Sequence, residues 1–411
     1  MRVLQINSVC GVGSTGRIAA GLHASLAEHG DAGFLAYGRG EGRGCGEAIR
    51  IGGPADVYGH VALTRLLDRH GFGSRRATRR FLRQAEALSP DLVHLHNLHG
   101  YYLHVGELFR WLKESGLPVV WTLHDCWAFT GHCAYFDYAG CEKWRTGCGS
   151  CPQKAAYPSS LLADRSARNY AEKRALFTLP EAMTVVAPSE WLAGLAGESF
   201  LGKYPVRVIP NGVDRTVFRP TPDAGLRERV GISPRAFLLL GVAGVWEERK
   251  GLPYLLALRQ ELGEDCRLVV VGVDERQKAA LPREAVGLSR TESAAELAAL
   301  YSAADVLVNP TLEDNFPTVN LEALACGTPV VTFRTGGSPE SLDESTGRVV
   351  DKGDAAGLAA AVREIRRLGK AHFTAACLKR AEERYDQRLV YDAYSALYRE
   401  ILKGKEDAGD E

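Results

Sequence analysis

The stretch NPTLEDNFPTVNLEALACGTPVVT, residues 309–332, carries the strongest structural signal in the sequence. An apolar run ends at its opening Asn, and Pro317 stands where a helix would begin. We expect that helix over Val319–Cys326, ending before Gly327, with a new apolar run from Val330. The pattern predicts strand, loop, helix and strand, which is the repeating unit of a parallel α/β sheet.

Two acidic residues in this stretch are separated by seven others. Asp314 lies on the loop before the predicted helix, and Glu322 lies on the helix itself. The first turn of a helix presents free N–H groups and the positive end of its dipole, which suit a phosphate. The two carboxylates could therefore bracket a ligand whose phosphates lie at the helix start. An ordinary strand–helix–strand unit with solvated carboxylates is the alternative, because short motifs also occur by chance.

Length and composition limit the classes of protein to consider. A chain of 411 residues is too long for one ordinary core and favours two domains. Lys plus Arg and Asp plus Glu both number 50, so no global basic field indicates a nucleic-acid binder. Apolar runs such as Phe237–Val245 are shorter than the roughly 20 residues of a membrane span. The N-terminus lacks a signal-peptide pattern, so we expect a cytoplasmic protein whose ten cysteines are reduced.

A glycine-rich segment, G-x-G-x-x-G at residues 11–16, follows the apolar run Arg2–Ser8 and precedes a predicted helix over Arg17–His29. Dinucleotide-binding oxidoreductases carry this pattern, with an acid at the tip of the second strand. Arg39 stands near that tip and would suit a 2′-phosphate. An NADP-binding oxidoreductase is therefore one hypothesis, and a tight strand-to-helix turn without a ligand is another.

A basic segment runs from Arg65 to Arg83. Four of its arginines recur at helical i, i+3, i+4 and i+7 spacing: Arg76, Arg79, Arg80 and Arg83. They predict one strongly basic helix face. Such a face is usually solvated, here with partial pairing to Glu86. The alternatives are contact with an anionic membrane surface, or with the pyrophosphate of a lipid-linked acceptor.

Histidines end two apolar runs, Asp91–Asn97 and Val119–Asp125. Open α/β sheets bind their ligands at the carboxyl edge where such runs end. His94 and His96 lie on one side of their strand, where one of them could be a core residue. Together with His124 and Asp125 they could instead form the metal site of a hydrolase.

A cysteine-rich insert occupies residues 126–152. Cys133, Cys141, Cys148 and Cys151 fall within 19 residues and close with C-x2-C, a spacing that lets two thiolates reach one ion. A structural Zn²⁺ is the hypothesis, with His132 as a replacement ligand. Disulfides and buried free thiols are the alternatives. A further helix is expected over Leu161–Thr178.

Together these motifs resemble the retaining family 4 glycosyltransferases of GT-B fold, and the resemblance covers nearly the whole chain. It is closest to the exopolysaccharide and colanic-acid type, where the T-L-H-D-C-W run at residues 122–127 and the Cys-rich insert also occur. Relatives usually carry G-R-x4-K-G in the second domain. Lys250 matches the lysine, Val245 occupies the arginine position, and Arg249 is the expected substitute.

The resemblance implies roles for particular residues. His124 would lie against the donor sugar, Asp314 would contact that sugar, and Glu322 would contact the ribose hydroxyls. The implied catalytic residues are His124, Asp314, Lys250 and Arg249. The implied donor-binding residues are Gly13, Ser14, Thr15, Gly16, Arg17, Asn211, Gly244, Asn315, Phe316, Pro317, Thr318 and Glu322.

The resemblance also implies an α/β fold of two Rossmann-like parallel-sheet domains that face a cleft. We expect an N-terminal domain over 1–205, a nucleotide-sugar-binding domain over 206–385, a helix over 386–403 that returns to the first domain, and a disordered tail over 404–411. That helix carries Val390, Tyr394, Leu397 and Ile401 on one stripe.

The implied activity is retaining transfer of a sugar from a UDP- or GDP-linked donor to a lipid-linked oligosaccharide, in bacterial exopolysaccharide or surface-polysaccharide synthesis. No cofactor is expected for the transfer step, beyond the structural Zn²⁺ considered above. The expected location is the cytoplasm, peripheral on the inner face of the cell membrane. A non-catalytic nucleotide-sugar-binding protein is the second alternative beside the oxidoreductase.

Overall fold

The computed structural model describes residues 1–42, 46, 48–222, 225–229, 231–233 and 235–409. Two compact units share the chain. The first comprises Met1–Pro210 and Tyr391–Glu411, and the second comprises Asn211–Val390. Each unit has its own hydrophobic core, as expected for a chain of this length.

The first unit is built on a seven-stranded sheet whose strand pairs are all parallel. The spatial order of its strands is β3-β2-β1-β4-β5-β6-β7. The strands are β1 (Arg2–Val9), β2 (Ala32–Arg39), β3 (Ile49–Arg50), β4 (Leu92–Leu95), β5 (Val119–Thr122), β6 (Met183–Ala187) and β7 (Val206–Val208). The helices are α1 (Gly13–Glu28), α2 (Pro54–Leu67), α3 (Arg75–Ala87), α4 (Val105–Ser115), α5 (Ser166–Phe177) and α6 (Glu190–Glu198).

The second unit repeats this plan with a six-stranded parallel sheet in the order β10-β9-β8-β11-β12-β13. Its strands are β8 (Phe237–Val242), β9 (Cys266–Val271), β10 (Ala285–Leu288), β11 (Val306–Asn309), β12 (Val330–Phe333) and β13 (Gly347–Val350). Its helices are α7 (Leu226–Arg229), α8 (Leu252–Glu261), α9 (Glu275–Ala279), α10 (Ala294–Ala303), α11 (Thr318–Ala325), α12 (Ala355–Leu368) and α13 (Lys370–Tyr385).

In both sheets the order in which successive strands are added reverses at an equivalent place. In the first sheet the strand order turns between β1 and β4, and in the second it turns between β8 and β11. Parallel α/β sheets bind ligands at the carboxyl edge beside such a switch point, because the loops there diverge and leave a crevice. The loops after these four strands are therefore where a site is expected in each unit.

A long terminal helix, α14 (Gln387–Gly409), starts in the second unit and belongs to the first from Tyr391 onward. Its aromatic side chains pack against the first sheet. The hydroxyl of Tyr398 lies 2.6 Å from Nδ1 of His94, and that of Tyr394 lies 3.0 Å from Oγ1 of Thr122. The predicted return of this helix to the first domain is confirmed.

Several boundaries differ from the sequence-based expectations. Strand β7 pairs with β6, so the first sheet extends past residue 205. Helix α5 begins only at Ser166, because Leu161 and Ala163 instead donate backbone hydrogen bonds to the end of α2. Helix α14 continues through Gly409, where a disordered tail was expected from residue 404, and residues 410–411 lie outside the described chain.

The described residues include no helix that is both long enough and apolar enough to span a bilayer. Most of the cysteines within those residues carry free thiols. Cys10, however, is disulfide-bonded, so the expectation of reduced thiols throughout is wrong at that residue.

We predict that Tyr398→Phe destabilises the first unit. The variant removes the hydroxyl that faces Nδ1 of His94, and both side chains are fully buried. An unsatisfied buried polar atom costs about 1–3 kcal/mol. Urea unfolding measures this loss, with Tyr58→Phe as control because Tyr58 is 73% exposed. Equal stability of the two variants would contradict the prediction.

Candidate functional site

The loop after β11 and the loop after β8 meet in the second unit through an ion pair. Nζ of Lys250 donates to Oδ2 of Asp314 at 2.6 Å, and both side chains remain partly exposed. The two residues lie on the loops that follow β8 and β11, the strands that flank the switch point. A cation and a carboxylate are thus held together where the fold places ligands.

Arg249 binds the same loop through its backbone and its side chain. Its Nη1 donates to the carbonyl of Glu313 at 3.2 Å, and its carbonyl accepts from the N–H of Leu312 at 2.7 Å. Its Nε also donates to Glu247 at 2.9 Å. The structure therefore brings Arg249 and Lys250 to the segment that precedes α11.

Glu322 is buried on the first turns of α11, and its Oε2 accepts from the hydroxyl of Tyr301 at 2.8 Å. Beside it, Nδ2 of Asn309 donates to Oδ1 of Asn320 at 2.9 Å. Nδ2 of Asn320 in turn donates to Ser338 and to Ser341. These bonds fix the helix against the end of β11, so its N-terminus has a defined position.

The remaining donor-binding candidates of the second unit lie along the same segment. Pro317 caps α11 in the predicted place, and Thr318 is its first residue. The carbonyl of Phe316 accepts from Nδ2 of Asn211 at 3.0 Å. Asn315 is buried. Gly244 lies exposed in the loop after β8.

Two glycines let the backbone approach this loop closely. Gly251 has φ +76°, and a Cβ there would lie 2.1 Å from the carbonyl oxygen of Pro310. Gly336 has φ +51°, and a Cβ there would lie 1.8 Å from the carbonyl oxygen of Asp314. No other residue type fits these approaches, so the position of Asp314 depends on both glycines.

In the first unit, the histidine-ended strands form a buried chain of imidazoles at the carboxyl edge. His94 lies between Oγ1 of Thr122 at 2.8 Å and the hydroxyl of Tyr398, which makes it a satisfied core residue. Nδ1 of His96 lies 3.2 Å from Nε2 of His124. Only His124 of the three is partly exposed. His124 is therefore the member that can meet a ligand.

Burial lowers the pKa of His124 to about 4, with Asp125 opposing the shift and His99 adding to it. Burial also lowers the pKa of His94 and of His96 well below the ordinary value, and neighbouring histidines add to the effect. All three imidazoles are uncharged at neutral pH. His124 thus offers a hydrogen bond to a ligand but no positive charge.

A second polar chain adjoins His124. Nε2 of His99 lies 2.6 Å from Oδ2 of Asp125, and Nδ1 of His99 lies 3.0 Å from the hydroxyl of Tyr157. Oδ1 of Asp125 accepts from the N–H of Trp127 at 2.9 Å. Burial alone would raise the pKa of Asp125, but His99 and the Trp127 N–H hold it below the ordinary value. A carboxylate is therefore kept charged next to His124.

The glycine loop lies at the carboxyl end of β1, beside β4. The N–H of Gly11 donates to the carbonyl of Gly16 at 3.0 Å, which closes a tight turn before α1. Helix α1 already starts at Gly13, so Ser14, Thr15 and Arg17 lie on its first turns. Gly16 is buried, and Gly13, Ser14 and Arg17 are exposed. The loop presents a helix N-terminus at the switch point of the first sheet.

The cysteine insert packs onto the first unit through groups that the sequence pattern did not indicate. Nζ of Lys173 is buried and donates to the carbonyls of Trp127 and Thr130 at 2.7 and 3.0 Å. Nδ1 of His132 lies 2.5 Å from Oδ1 of buried Asp68. Burial lowers the pKa of Lys173 to about 7. A buried amine and a buried carboxylate thus hold the insert to the first unit.

The four predicted zinc ligands, Cys133, Cys141, Cys148 and Cys151, line one small cavity together with His132. They interact there, since a hydrogen bond with Cys133 is the main cause that lowers the pKa of Cys151 to about 7. Nevertheless, among the residues that the structure describes, no three His, Cys, Asp or Glu side chains are arranged to hold a metal ion. This arrangement supports neither the zinc site nor a hydrolase site at His94, His96, His124 and Asp125.

Sequence reasoning missed several polar residues of the two sites. His99, Tyr157 and Lys173 belong to no motif, and their roles arise from contacts across long stretches of chain. Tyr301, whose hydroxyl donates to Glu322, likewise belongs to no motif. The strand-end position of His99, three residues after His96, is the one signal that could have indicated it.

Solved structures share this fold over nearly the whole chain. Sucrose-phosphate synthase from Thermosynechococcus elongatus superposes with a TM-score of 0.73 at 20% identity, covering 98% of this chain and 99% of that one. Anabaena Alr3699/HepE, in complex with UDP and glucose, superposes with a TM-score of 0.69 at 14% identity, covering 97% and 99%. The fold is therefore the two-domain GT-B fold.

Sequence comparison gives the family. Residues 16–217 match the model for Glycosyltransferase Family 4, and residues 236–367 match the model for Glycosyl transferases group 1. A GDP-mannose-dependent alpha-(1-6)-phosphatidylinositol dimannoside mannosyltransferase of Mycobacterium tuberculosis is 30% identical over 72% of this chain and 71% of its own. The putative colanic acid biosynthesis glycosyl transferase WcaC of Escherichia coli is 28% identical over 86% and 88%.

The chain belongs to family 4 of the glycosyltransferases and is a nucleotide-sugar-dependent glycosyltransferase. The predicted family and fold are confirmed. The same comparisons leave the NADP-binding oxidoreductase without support, since the glycine loop occurs here in a glycosyltransferase.

We predict that Gly336→Ala destabilises the second unit more than Gly353→Ala. Both glycines have positive φ, which costs other residues about 1–2 kcal/mol. A Cβ at 353 meets only the hydroxyl of Tyr254 at 3.4 Å, whereas one at 336 would collide with the Asp314 carbonyl. Urea unfolding should show at least ~2 kcal/mol of additional loss for Gly336→Ala. Equal losses of unfolding free energy in the two variants would show that the loop around Asp314 shifts without cost, and would contradict the prediction.

The low pKa of buried His124 predicts that the folded protein loses stability as the pH falls. The folded pKa of His124 lies below its unfolded value, so stability is complete above about pH 6.5 and falls as the pH drops towards 4. At about pH 5 the protonation of His124 costs on the order of 2 kcal/mol. His124→Asn should therefore reduce the stability lost between about pH 7.5 and about pH 5 by that amount.

Urea unfolding at the two pH values measures the difference, and His29→Asn is the control because His29 is exposed. An identical pH dependence in wild type and His124→Asn would show that His124 is not held neutral by burial.

Proposed function

We propose that this glycosyltransferase moves a sugar, with retention at the anomeric carbon, to a lipid-linked oligosaccharide in bacterial exopolysaccharide or surface-polysaccharide synthesis. The observation that carries the donor half of the proposal is the Lys250–Asp314 pair at the switch point of the second sheet. The polysaccharide half is supported by the likeness to the WcaC protein over most of both chains.

The chemical demand of the transfer is to stabilise a departing diphosphate. Lys250 and Arg249 stand on one loop, and both reach the segment that leads into α11. That helix start adds free N–H groups and the positive end of a dipole. Preorganised positive potential of this kind stabilises charge as it develops in the transition state. The protein's own charges thus serve the role that a divalent cation would have, and no cofactor is required for this step.

The second demand is to hold the sugar and the nucleoside. Asp314 accepts hydrogen bonds from sugar hydroxyls in this proposal, and buried Glu322 receives the ribose hydroxyls at the start of α11. His124 contacts the sugar near its reacting carbon, which a neutral imidazole beside charged Asp125 can do through a hydrogen bond. Gly13, Ser14 and Thr15 supply further polar groups at the first sheet's edge.

The donor is a UDP- or GDP-linked sugar. The HepE structure contains UDP-glucose in one of its complexes, and the mycobacterial relative is named for GDP-mannose. A thermal-shift panel of UDP, GDP, ADP and NADP separates these nucleotides, since a ligand that binds only the folded state raises apparent stability. A response to NADP alone would contradict the proposal.

The acceptor is lipid-linked, and the enzyme acts in the cytoplasm at the inner face of the cell membrane. The support is the basic face of α3, on which Arg76, Arg79, Arg80 and Arg83 are all exposed. Arg79 of this face pairs with Glu107, which also pairs with Arg75. Glu86, the partner expected from the sequence, accepts a hydrogen bond from Nε1 of Trp111. Each basic residue near an anionic surface contributes about 1 kcal/mol.

We predict that Lys250→Ala lowers kcat and that Glu322→Ala chiefly weakens donor binding. Lys250 acts on charge that grows in the transition state, so its loss lowers kcat even at saturating donor. By analogy with the loss of one charge-stabilising group, the decrease should be on the order of a hundredfold. Steady-state transfer with a radiolabelled nucleotide-sugar donor measures both constants.

Lys379→Ala is the matched control, because Lys379 is 72% exposed and pairs with Glu383 on its own helix. An unchanged kcat in Lys250→Ala would remove this lysine from the proposed mechanism. Absence of any transfer by the wild type with UDP- and GDP-linked sugars would favour a non-catalytic binding protein.

A further inference from the structure

The outward side of α2 is unusual for a surface helix because it is almost entirely apolar. Its exposed positions include Ala55, Tyr58, Ala62 and Leu66, which recur at helical spacing. Within α2, all of whose residues the structure describes, Arg65 is the one fully exposed charged side chain. A surface helix normally turns its charged face outward, so this face is built to contact something other than water.

A neighbouring segment enlarges the apolar surface. Leu161 and Leu162 are 64% and 71% exposed, and they lie beside the end of α2. The N–H of Leu161 donates to the carbonyl of Arg65 at 2.7 Å, and the N–H of Ala163 donates to that of Leu66 at 3.4 Å. These backbone bonds explain why residues 161–165 do not join α5, and they hold both leucines outward.

We call this surface the α2 platform and define it by its exposed apolar side chains: Tyr58, Ala62, Leu66, Leu67, Leu161 and Leu162. The leucines are 42–71% exposed, and Tyr58 is 73% exposed. Singly exposed apolar residues are common, but a contiguous group of this size marks an interaction site.

Charge around the platform indicates the partner. Helix α3 starts against α2, since Nδ1 of His60 lies 3.1 Å from Oγ of Ser74. From there α3 exposes the arginines of its basic face. Beside the exposed leucines, Nζ of Lys154 donates to the carbonyl of Leu162 at 3.4 Å. Leucines and a tyrosine flanked by arginine and lysine suit an anionic lipid surface, where apolar side chains enter the interface and cations meet phosphates.

A second copy of this chain suits the platform less well. Two-fold symmetric dimers place the same patch against itself, so the flanking cations of one copy would face those of the other. We therefore propose that the α2 platform docks the enzyme on anionic membranes by shallow insertion of its leucines, with the basic face of α3 supplying the electrostatic part. The inference rests on the proposed lipid-linked acceptor for its purpose, because docking would bring the first unit to that acceptor.

Vesicle flotation of the full chain tests the proposal with phosphatidylcholine vesicles that contain or lack phosphatidylglycerol. We expect wild type to bind the anionic vesicles. The pairs Leu161→Ser/Leu162→Ser and Leu66→Ser/Leu67→Ser should each weaken binding roughly tenfold or more, because each leucine loses apolar burial. Leu389→Ser is the matched control, since Leu389 is 49% exposed on α14 and lies outside the platform.

Replacing Arg76, Arg80 and Arg83 with Gln separates the two contributions. This variant should bind less tightly at low salt and lose most of its salt dependence, whereas the leucine variants should keep theirs. Unchanged flotation of both leucine pairs would overturn the proposal. Wild type that does not bind vesicles, but forms dimers in light scattering that the leucine variants do not form, would overturn the proposal in favour of self-association.

The thermal shift with UDP and GDP is measured on every variant. It verifies folding and distinguishes the two proposals. A normal nucleotide response without vesicle binding rejects the platform alone, and vesicle binding without a nucleotide response rejects the donor assignment alone.

Discussion

Parallel strands force their connections to leave the sheet at one edge, and this constraint decides where charged side chains can stand in this chain. The central strands β4, β5, β11 and β12 are buried on both faces, so charged side chains such as Lys250, Asp314 and Arg249 are tolerated beyond the strand ends. Both sheets reverse their strand order at equivalent points, and their polar loops gather there. The polar side chains of each candidate site therefore lie at the positions where the fold leaves polar groups exposed.

In the first unit, some polar side chains are buried within the core. His94, His96 and Gln5 lie on buried strand positions, and each has a hydrogen-bonding neighbour: Tyr398 and Thr122 for His94, and Gln5 and His124 for His96. An unsatisfied buried polar group costs about 1–3 kcal/mol, so such a chain is stable only if every member is paired. The terminal helix completes the pairing of His94 through Tyr398, and the ring of His94 in turn packs 4.0 Å from that of His96.

The sequence allowed the fold and much of the candidate site to be predicted because both depend on local signals. Pro317 and Gly327 bound α11 to within a residue, and the spacing of Asp314 and Glu322 follows from that helix. Tyr157 and Lys173 could not be found this way, because their partners lie 58 and 46 residues away and no local pattern encodes the contacts. For His99, the position after the strand end was the one local signal. The prediction of a disordered tail from residue 404 differs from the structure, in which α14 continues to Gly409. Composition alone does not show where a helix that has already formed will end.

The geometry of the Lys250–Asp314 pair also bears on how a donor would enter. The pair is short, at 2.6 Å, but its side chains are 21% and 16% exposed, and an ion pair that water still reaches contributes on the order of 1 kcal/mol. A diphosphate carries more negative charge than one carboxylate and can draw the lysine away at that small cost. Asp314 would then lose its cation and become free to accept hydrogen bonds from the sugar. In the proposed reaction a single exchange of partners thus prepares both the phosphate contact and the sugar contact, and the backbone approach of Gly336 keeps Asp314 in place while its partner changes.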